Sequence, residues 1–184
     1  MIDGMDGLAS TVVAISAVGF ALVGGDTALP ALAVCGAVVG FLFFNRPPAR
    51  IYLGDGGSYL LGTALALLAA YSLVGQGRAA WIALPLFVGV PLADTAIAVL
   101  RRQRAGRPLL AGDRSHVYDQ LADRGWPVAR VLLACGAVQV VACAAALLCR
   151  HLGVNGAVGV LAVCAVAAAL AVWRSGFVTE GAPT

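Results

Sequence analysis

Six long apolar runs, at 8–23, 28–44, 58–74, 80–100, 128–149 and 156–173, decide what this chain can fold into. Each approaches or meets the roughly 17–25 residues that cross a bilayer as a helix. Inside hydrocarbon no water is available to backbone N–H and C=O groups, so a spanning segment must close its own hydrogen bonds. The prediction is an all-α integral membrane protein of about six transmembrane helices, forming a single membrane domain over residues 1–184. Composition agrees. Only 11% of residues are charged, under half the roughly 25% of a soluble domain, and the mean hydropathy is +0.92. A soluble second domain finds no place in this pattern, and no nucleic-acid partner is expected.

The connections between runs are short except one. Gly24-Gly25-Asp26-Thr27 predicts a tight hairpin between the first two spans; Gly75-Gln76-Gly77-Arg78 and the stretch 150–155 predict further turns. The longest polar connection runs from Arg101 to Pro127. With six spans, one side carries Arg46, Arg50, Arg101, Arg102, Arg104, Arg107, Arg114, Arg124, Arg130 and Arg174, and the other only Arg78 and Arg150. Arginine excess marks the cytoplasmic side, so the expected location is the plasma (inner) membrane, multi-pass, with the arginine-rich loops in the cytoplasm. The five cysteines lie in or beside apolar runs without a C-x-x-C pair, and read as small buried apolar residues.

The polar residues on the arginine-rich side fall into three blocks. In Asp3-Gly4-Met5-Asp6-Gly7, two aspartates three apart share one face if helical. A capped helix start explains Asp6 equally well. In Gly54-Asp55-Gly56-Gly57-Ser58 a carboxylate stands at the mouth of a span, preceded by Arg46 and Arg50. An uncompensated charge there is costly. A divalent metal that takes one or two carboxylates plus phosphate oxygens would compensate it. The bland reading is a glycine-rich turn before a helix, with Ser58 as its cap. The third block holds Asp94 within the fourth span, then Arg101, Arg102, Arg104, Arg107 and Asp113-Arg114-Ser115-His116. For Asp94, pairing with a loop arginine and a catalytic role are equally good readings. A guanidinium and an imidazole beside a diphosphate suit phosphoryl transfer, which depends on positioning and charge neutralisation.

In order and content these blocks resemble the polyprenyl-phosphate N-acetylhexosamine-1-phosphate transferases, relatives of phospho-N-acetylmuramoyl-pentapeptide transferase. The matching stretches are Ile2-Asp3-Gly4-Met5-Asp6-Gly7-Leu8-Ala9, Asn45-Arg46-Pro47-Pro48-Ala49-Arg50-Ile51-Tyr52-Leu53-Gly54-Asp55-Gly56-Gly57-Ser58, and Asp94-Thr95 through Asp113-Arg114-Ser115-His116. The resemblance covers the first two thirds of the chain. It implies transfer of a hexosamine 1-phosphate from a UDP-N-acetylhexosamine to an undecaprenyl- or decaprenyl-type phosphate, with release of UMP. It also implies Mg²⁺ (Mn²⁺ as alternative), contact with membrane lipid, and compatibility with a homodimer. By carry-over Asp3, Asp6, Asp55 and His116 are expected to be catalytic, with Asp6 and Asp55 at the metal. Asn45, Arg50, Gly54, Ser58, Arg102, Arg107, Asp113 and Arg114 are expected to bind substrate. The family has further helices upstream with an Asp-Asp pair, and no Asp-Asp occurs in this sequence. The chain is therefore expected to be the C-terminal part of a longer family fold. A truncated, inactive membrane paralogue with an assembly role is the alternative.

Overall fold

The computed structural model describes residues 4–106, 108 and 116–178. Among them there are helices and no strands: α1 Leu8–Val23, α2 Ala28–Asn45, α3 Gly54–Leu73, α4 Arg78–Ala83, α5 Gly89–Arg104, α6 Val117–Asp123, α7 Val128–Cys149 and α8 Val154–Ser175. Single turns of 3₁₀ helix join α1 to α2 (Gly25–Thr27) and α4 to α5 (Leu84–Val88). Five helical stretches are long and apolar enough to cross a membrane, the third being the composite Arg78–Arg104, which is the fourth predicted span. The first predicted span, α1, has 16 residues and rises about 24 Å, somewhat less than a hydrocarbon core of about 30 Å.

α1 is the hub. It packs against α2, α3, α7 and the 3₁₀ turn of the fourth span, and Ser10, Ser16, Ala17, Gly19 and Phe20 are among its buried residues. Helices in lipid associate by close van der Waals packing, which small residues allow. Gly19 shows this at one contact. A Cβ there would lie 2.9 Å from Cys143 Sγ and 3.0 Å from Phe87 Cδ1. Next to it the Phe20 and Phe87 rings stack with centroids 4.6 Å apart. All five cysteines are free thiols, and Cys143 and Cys149 are buried.

The fourth span departs from the expectation of one helix over 80–100, and two prolines explain why. Pro85 lies in the 3₁₀ turn Leu84–Val88 and Pro91 in the first turn of α5. Proline has no N–H, so Pro91 cannot bond the carbonyl four residues back, that of Phe87. Val88 leaves the helical region, at φ −126° and ψ 34°. Such a break at membrane depth is tolerated only where other groups satisfy the freed backbone. Here Gln139 of α7, fully buried, donates from Nε2 to Phe87 O at 2.8 Å. Its Oε1 accepts the Val90 N–H at 2.9 Å.

The polar connection 101–127 also differs from a plain loop. α5 continues to Arg104, and the connection contains α6. Tyr118 of α6 is buried with Leu8, Val12 and Val131 in a small core separate from the main one. At the opposite end of the bundle, Arg150 donates to Val23 O at 2.7 Å and to Gln76 Oε1 at 3.4 Å. It thereby closes the end of α1 over the turn between α3 and α4.

Candidate functional site

The first block and the middle block are tied by Asn45, the last residue of α2, which is 5% exposed. Its Oδ1 accepts the Gly7 N–H and the Ser10 hydroxyl, both at 3.1 Å, and its Nδ2 donates to Ile51 O at 2.9 Å. Gly7 has φ +74°, a region where a Cβ is strained. This lets its N–H turn toward Asn45 at the start of α1. Asp6 does not cap α1, contrary to the bland reading of the sequence. Its Oδ2 accepts the Ala49 N–H at 3.0 Å. The loop 46–53 is thus held from both sides, by Asp6 at Ala49 and by Asn45 at Ile51. Asn45 was expected to bind substrate, yet its amide is engaged with the protein at three points.

The glycine-rich stretch is not a loop before a helix. α3 begins at Gly54, so Asp55 stands in its first turn, exposed. Gly54 has φ +63° with open space around it, so glycine is favoured there by backbone angle rather than by room. Ser58 does not cap the helix; it lies three residues beyond Asp55, on the same face. Its Oγ is buried without a hydrogen-bond partner among the described residues. A buried hydroxyl without a partner is costly, and a ligand oxygen would relieve it. Arg50 is exposed, its backbone N–H bonded to Phe44 O at 2.8 Å.

The third block is organised by Asp94. This aspartate is 6% exposed and holds His116 rather than an arginine. Asp94 Oδ2 lies 2.6 Å from His116 Nδ1, and Oδ1 accepts the Val117 N–H at 2.9 Å. One carboxylate therefore fixes the imidazole and also satisfies the first amide of α6, which no intrahelical acceptor could reach. The His116 backbone N–H in turn donates to Asp119 Oδ2 at 3.3 Å, a further bond at the start of α6. The His116 ring stacks parallel to Tyr118, centroids 5.4 Å apart. Arg101 is buried and Arg102 partly buried on the last turn of α5.

Gly4 brings the first block to the third. A Cβ at Gly4 would lie 2.5 Å from the Tyr118 hydroxyl and 2.9 Å from its ring, so the chain passes directly against the residue stacked on His116. Beside Asp94 and Tyr118 is an apolar cavity of about 260 Å³, bounded also by Val90, Trp126, Val172 and Phe177. Its far wall is fastened to α6: Gln120 Nε2 donates to Phe177 O at 3.1 Å, and the Arg124 guanidinium lies 4.5 Å from the Phe177 ring centre.

Of the residues expected from sequence, Asp6, Asn45, Arg50, Gly54, Asp55, Ser58, Arg102 and His116 are described; Asp3, Arg107, Asp113 and Arg114 lie outside the described residues. Sequence reasoning left Gly4 and Tyr118 unassigned and missed the partner of Asp94. Nothing local marks the Asp94–His116 pair, since the two are 22 residues apart. A carboxylate inside an apolar span was the one available signal. Among the described residues, no three His, Cys, Asp or Glu side chains form a metal cage of their own. Asp55 is exposed in the first turn of α3, and one oxygen of Asp6 is taken by the Ala49 N–H.

Residues 1–73 match the family model described as Glycosyl transferase family 4. The chain belongs to this family. It is 37% identical over 127 residues to a probable undecaprenyl-phosphate N-acetylglucosaminyl 1-phosphate transferase of Bacillus subtilis, covering 66% of this chain and 36% of the relative. Against a decaprenyl-phosphate N-acetylglucosaminephosphotransferase of Mycobacterium tuberculosis the figures are 31% over 157 residues, 72% and 39%. Against a phospho-N-acetylmuramoyl-pentapeptide-transferase of Moorella thermoacetica they are 32% over 139 residues, 71% and 41%. This glycosyl transferase family 4 chain thus spans about two fifths of the length of these curated relatives. Its apolar helices, together with its family, make it a multi-pass membrane protein.

Proposed function

We propose that the chain carries the phosphoryl-transfer end of an enzyme that moves N-acetylhexosamine 1-phosphate from a UDP-sugar onto a polyprenyl phosphate, at the start of cell-envelope glycan synthesis. The observation that carries this reading is the convergence of the three polar blocks at one end of the bundle. Asp6 bonds Ala49, Gly4 abuts Tyr118, and Asp94 holds His116. Relatives named as such transferases support it.

In the proposed reaction, an oxygen of the lipid phosphate attacks the phosphorus bearing the sugar, and the bond to the UMP oxygen breaks. UMP leaves and a polyprenyl-diphospho-sugar remains. Asp6 and Asp55 would hold Mg²⁺, or Mn²⁺, together with diphosphate oxygens, and Asp3 would extend that acidic set. The cation, when bound, supplies charge neutralisation. Ser58 Oγ donates to a phosphate oxygen, which gives the buried hydroxyl its missing partner. Arg50, Arg102, Arg107 and Arg114 bind the phosphates by charge-assisted hydrogen bonds, and Asp113 contributes to substrate binding. His116, held at Nδ1 by Asp94, presents Nε2 to the transferring group. The excess of arginine on this side supports a cytoplasmic location for it, the compartment that supplies nucleotide-sugars.

The test is UMP release from UDP-N-acetylglucosamine by membranes containing the full chain and a polyprenyl phosphate. The expected result is release that needs Mg²⁺, stops with chelator and is lost in Asp55→Asn. Release no greater than from control membranes, with expression verified, would overturn the activity and leave the inactive paralogue.

A further inference from the structure

The bracket made by Gln139 lies one helical turn from Asp94, on the same rigid element. Three features show that the break it spans is built to one geometry. The carboxamide uses both its ends there: Nε2 donates to Phe87 O and Oε1 accepts the Val90 N–H. Gly89, between them, lies so close to α7 that an added Cβ would be 3.2 Å from Ala142 Cβ. Phe87 is itself clamped between Phe20 and Gly19 of α1. Pro91 has no N–H to offer the Phe87 carbonyl, so one bond of the ladder is missing where the 3₁₀ turn, which ends with the Gly89 N–H on Leu86 O, passes into α5, and Gln139 fills that gap from outside the helix.

We propose that Gln139 is a positioning residue for His116. By fixing the exit angle of α5, it sets where Asp94 reaches out of the span, and Asp94 in turn holds the imidazole and the first amide of α6. An α-helix rises about 1.5 Å per residue and is stiff over a turn or two. A change of angle at Val90 therefore displaces Asp94 and its two bonds as a unit. Removal of the carboxamide leaves the part-buried Val90 amide without its acceptor and the Phe87 carbonyl with only the Cys143 thiol, at 4.0 Å, and the turn relaxes to satisfy them. The inference rests on the transferase reading only for its effect on turnover; its structural part stands by itself.

Hydrogen exchange on the full chain in detergent separates the two. The Val117 amide is at a helix start, where Asp94 is its acceptor, so its protection reports Asp94 at a distance from Gln139. Three variants are compared with the parent: Asp94→Ala as reference, Gln139→Met, which keeps length and apolar packing, and Gln139→Glu, which keeps the acceptor for Val90. In Gln139→Met, exchange is expected to rise about tenfold both in 86–92 and at the start of α6, approaching Asp94→Ala at the latter. Gln139→Glu should fall between, and it serves if the methionine variant does not fold. Faster exchange confined to 86–92, with residue 117 as in the parent, would overturn the proposal and leave Gln139 a local brace. In the UMP assay kcat should drop about tenfold with KM within about twofold, the pattern of a group that acts at the transition state. A parent without turnover would defeat the transferase reading while the exchange result still decides the role of Gln139.

Discussion

The two polar ends of this bundle use similar residues for opposite purposes. At the end near Arg150, a guanidinium donates to the last carbonyl of α1 and to Gln76, and two helix ends and a turn are closed over. At the other end Asp6, Asn45 and Asp94 also bond to the backbone, Asp6 and Asn45 across blocks and Asp94 at the end of the third, and groups beside them remain unspent. These are the exposed Asp55 and the buried Ser58 Oγ, which has no partner among the described residues. The first end is closed by its own hydrogen bonds; at the second, Ser58 Oγ and Asp55 stay open among the described residues.

The contrast can be broken at four places, the largest effect first. Asn45→Leu removes three hydrogen bonds from a buried site and should cost about 3 kcal/mol of stability, read as a lower midpoint in denaturant titration of the micelle-bound chain. Asp94→Asn should lower UMP release about 100-fold, some 2.7 kcal/mol in the barrier, because the amide can point its NH₂ at Nδ1 and turn the imidazole to the wrong tautomer. Arg150→Met, at the opposite end, should cost about 1–2 kcal/mol by leaving the Val23 carbonyl short of a donor, with UMP release per folded molecule unchanged. Ser58→Ala should reduce release about tenfold, near 1.4 kcal/mol, without lowering thermal stability. A loss of stability in Ser58→Ala, or of turnover in Arg150→Met, would erase the distinction between the ends.

Much of the scaffold is legible in the sequence. Apolar runs punctuated by Gly24-Gly25 or Gly75-Gln76-Gly77 give the spans and their turns, because lipid leaves the backbone few alternatives. The break in the fourth span was visible only as two prolines, whose effect depends on whether a neighbour can satisfy the freed groups. That neighbour is Gln139, about fifty residues away. α6 is seven residues long and too short to show an apolar period inside a polar connection. In the site, Asp6 looked like a helix cap and Ser58 like another, since short-range chemistry favours both. Tertiary contacts decided otherwise, bringing Ala49 to Asp6 and starting α3 four residues before Ser58. The Asp94–His116 pair joins a span to a loop and has no local signature at all.

The broken span also has a consequence for biosynthesis. The Phe87 carbonyl and the Val90 amide emerge from the ribosome 52 and 49 residues ahead of the side chain that completes them. Until α7 arrives, the middle of the fourth span carries bare polar backbone that hydrocarbon cannot solvate. Its stable home before then is an aqueous or protein-lined environment, such as the insertion machinery offers. The fourth and fifth spans are accordingly expected to enter the lipid together, as a pair, rather than one after the other.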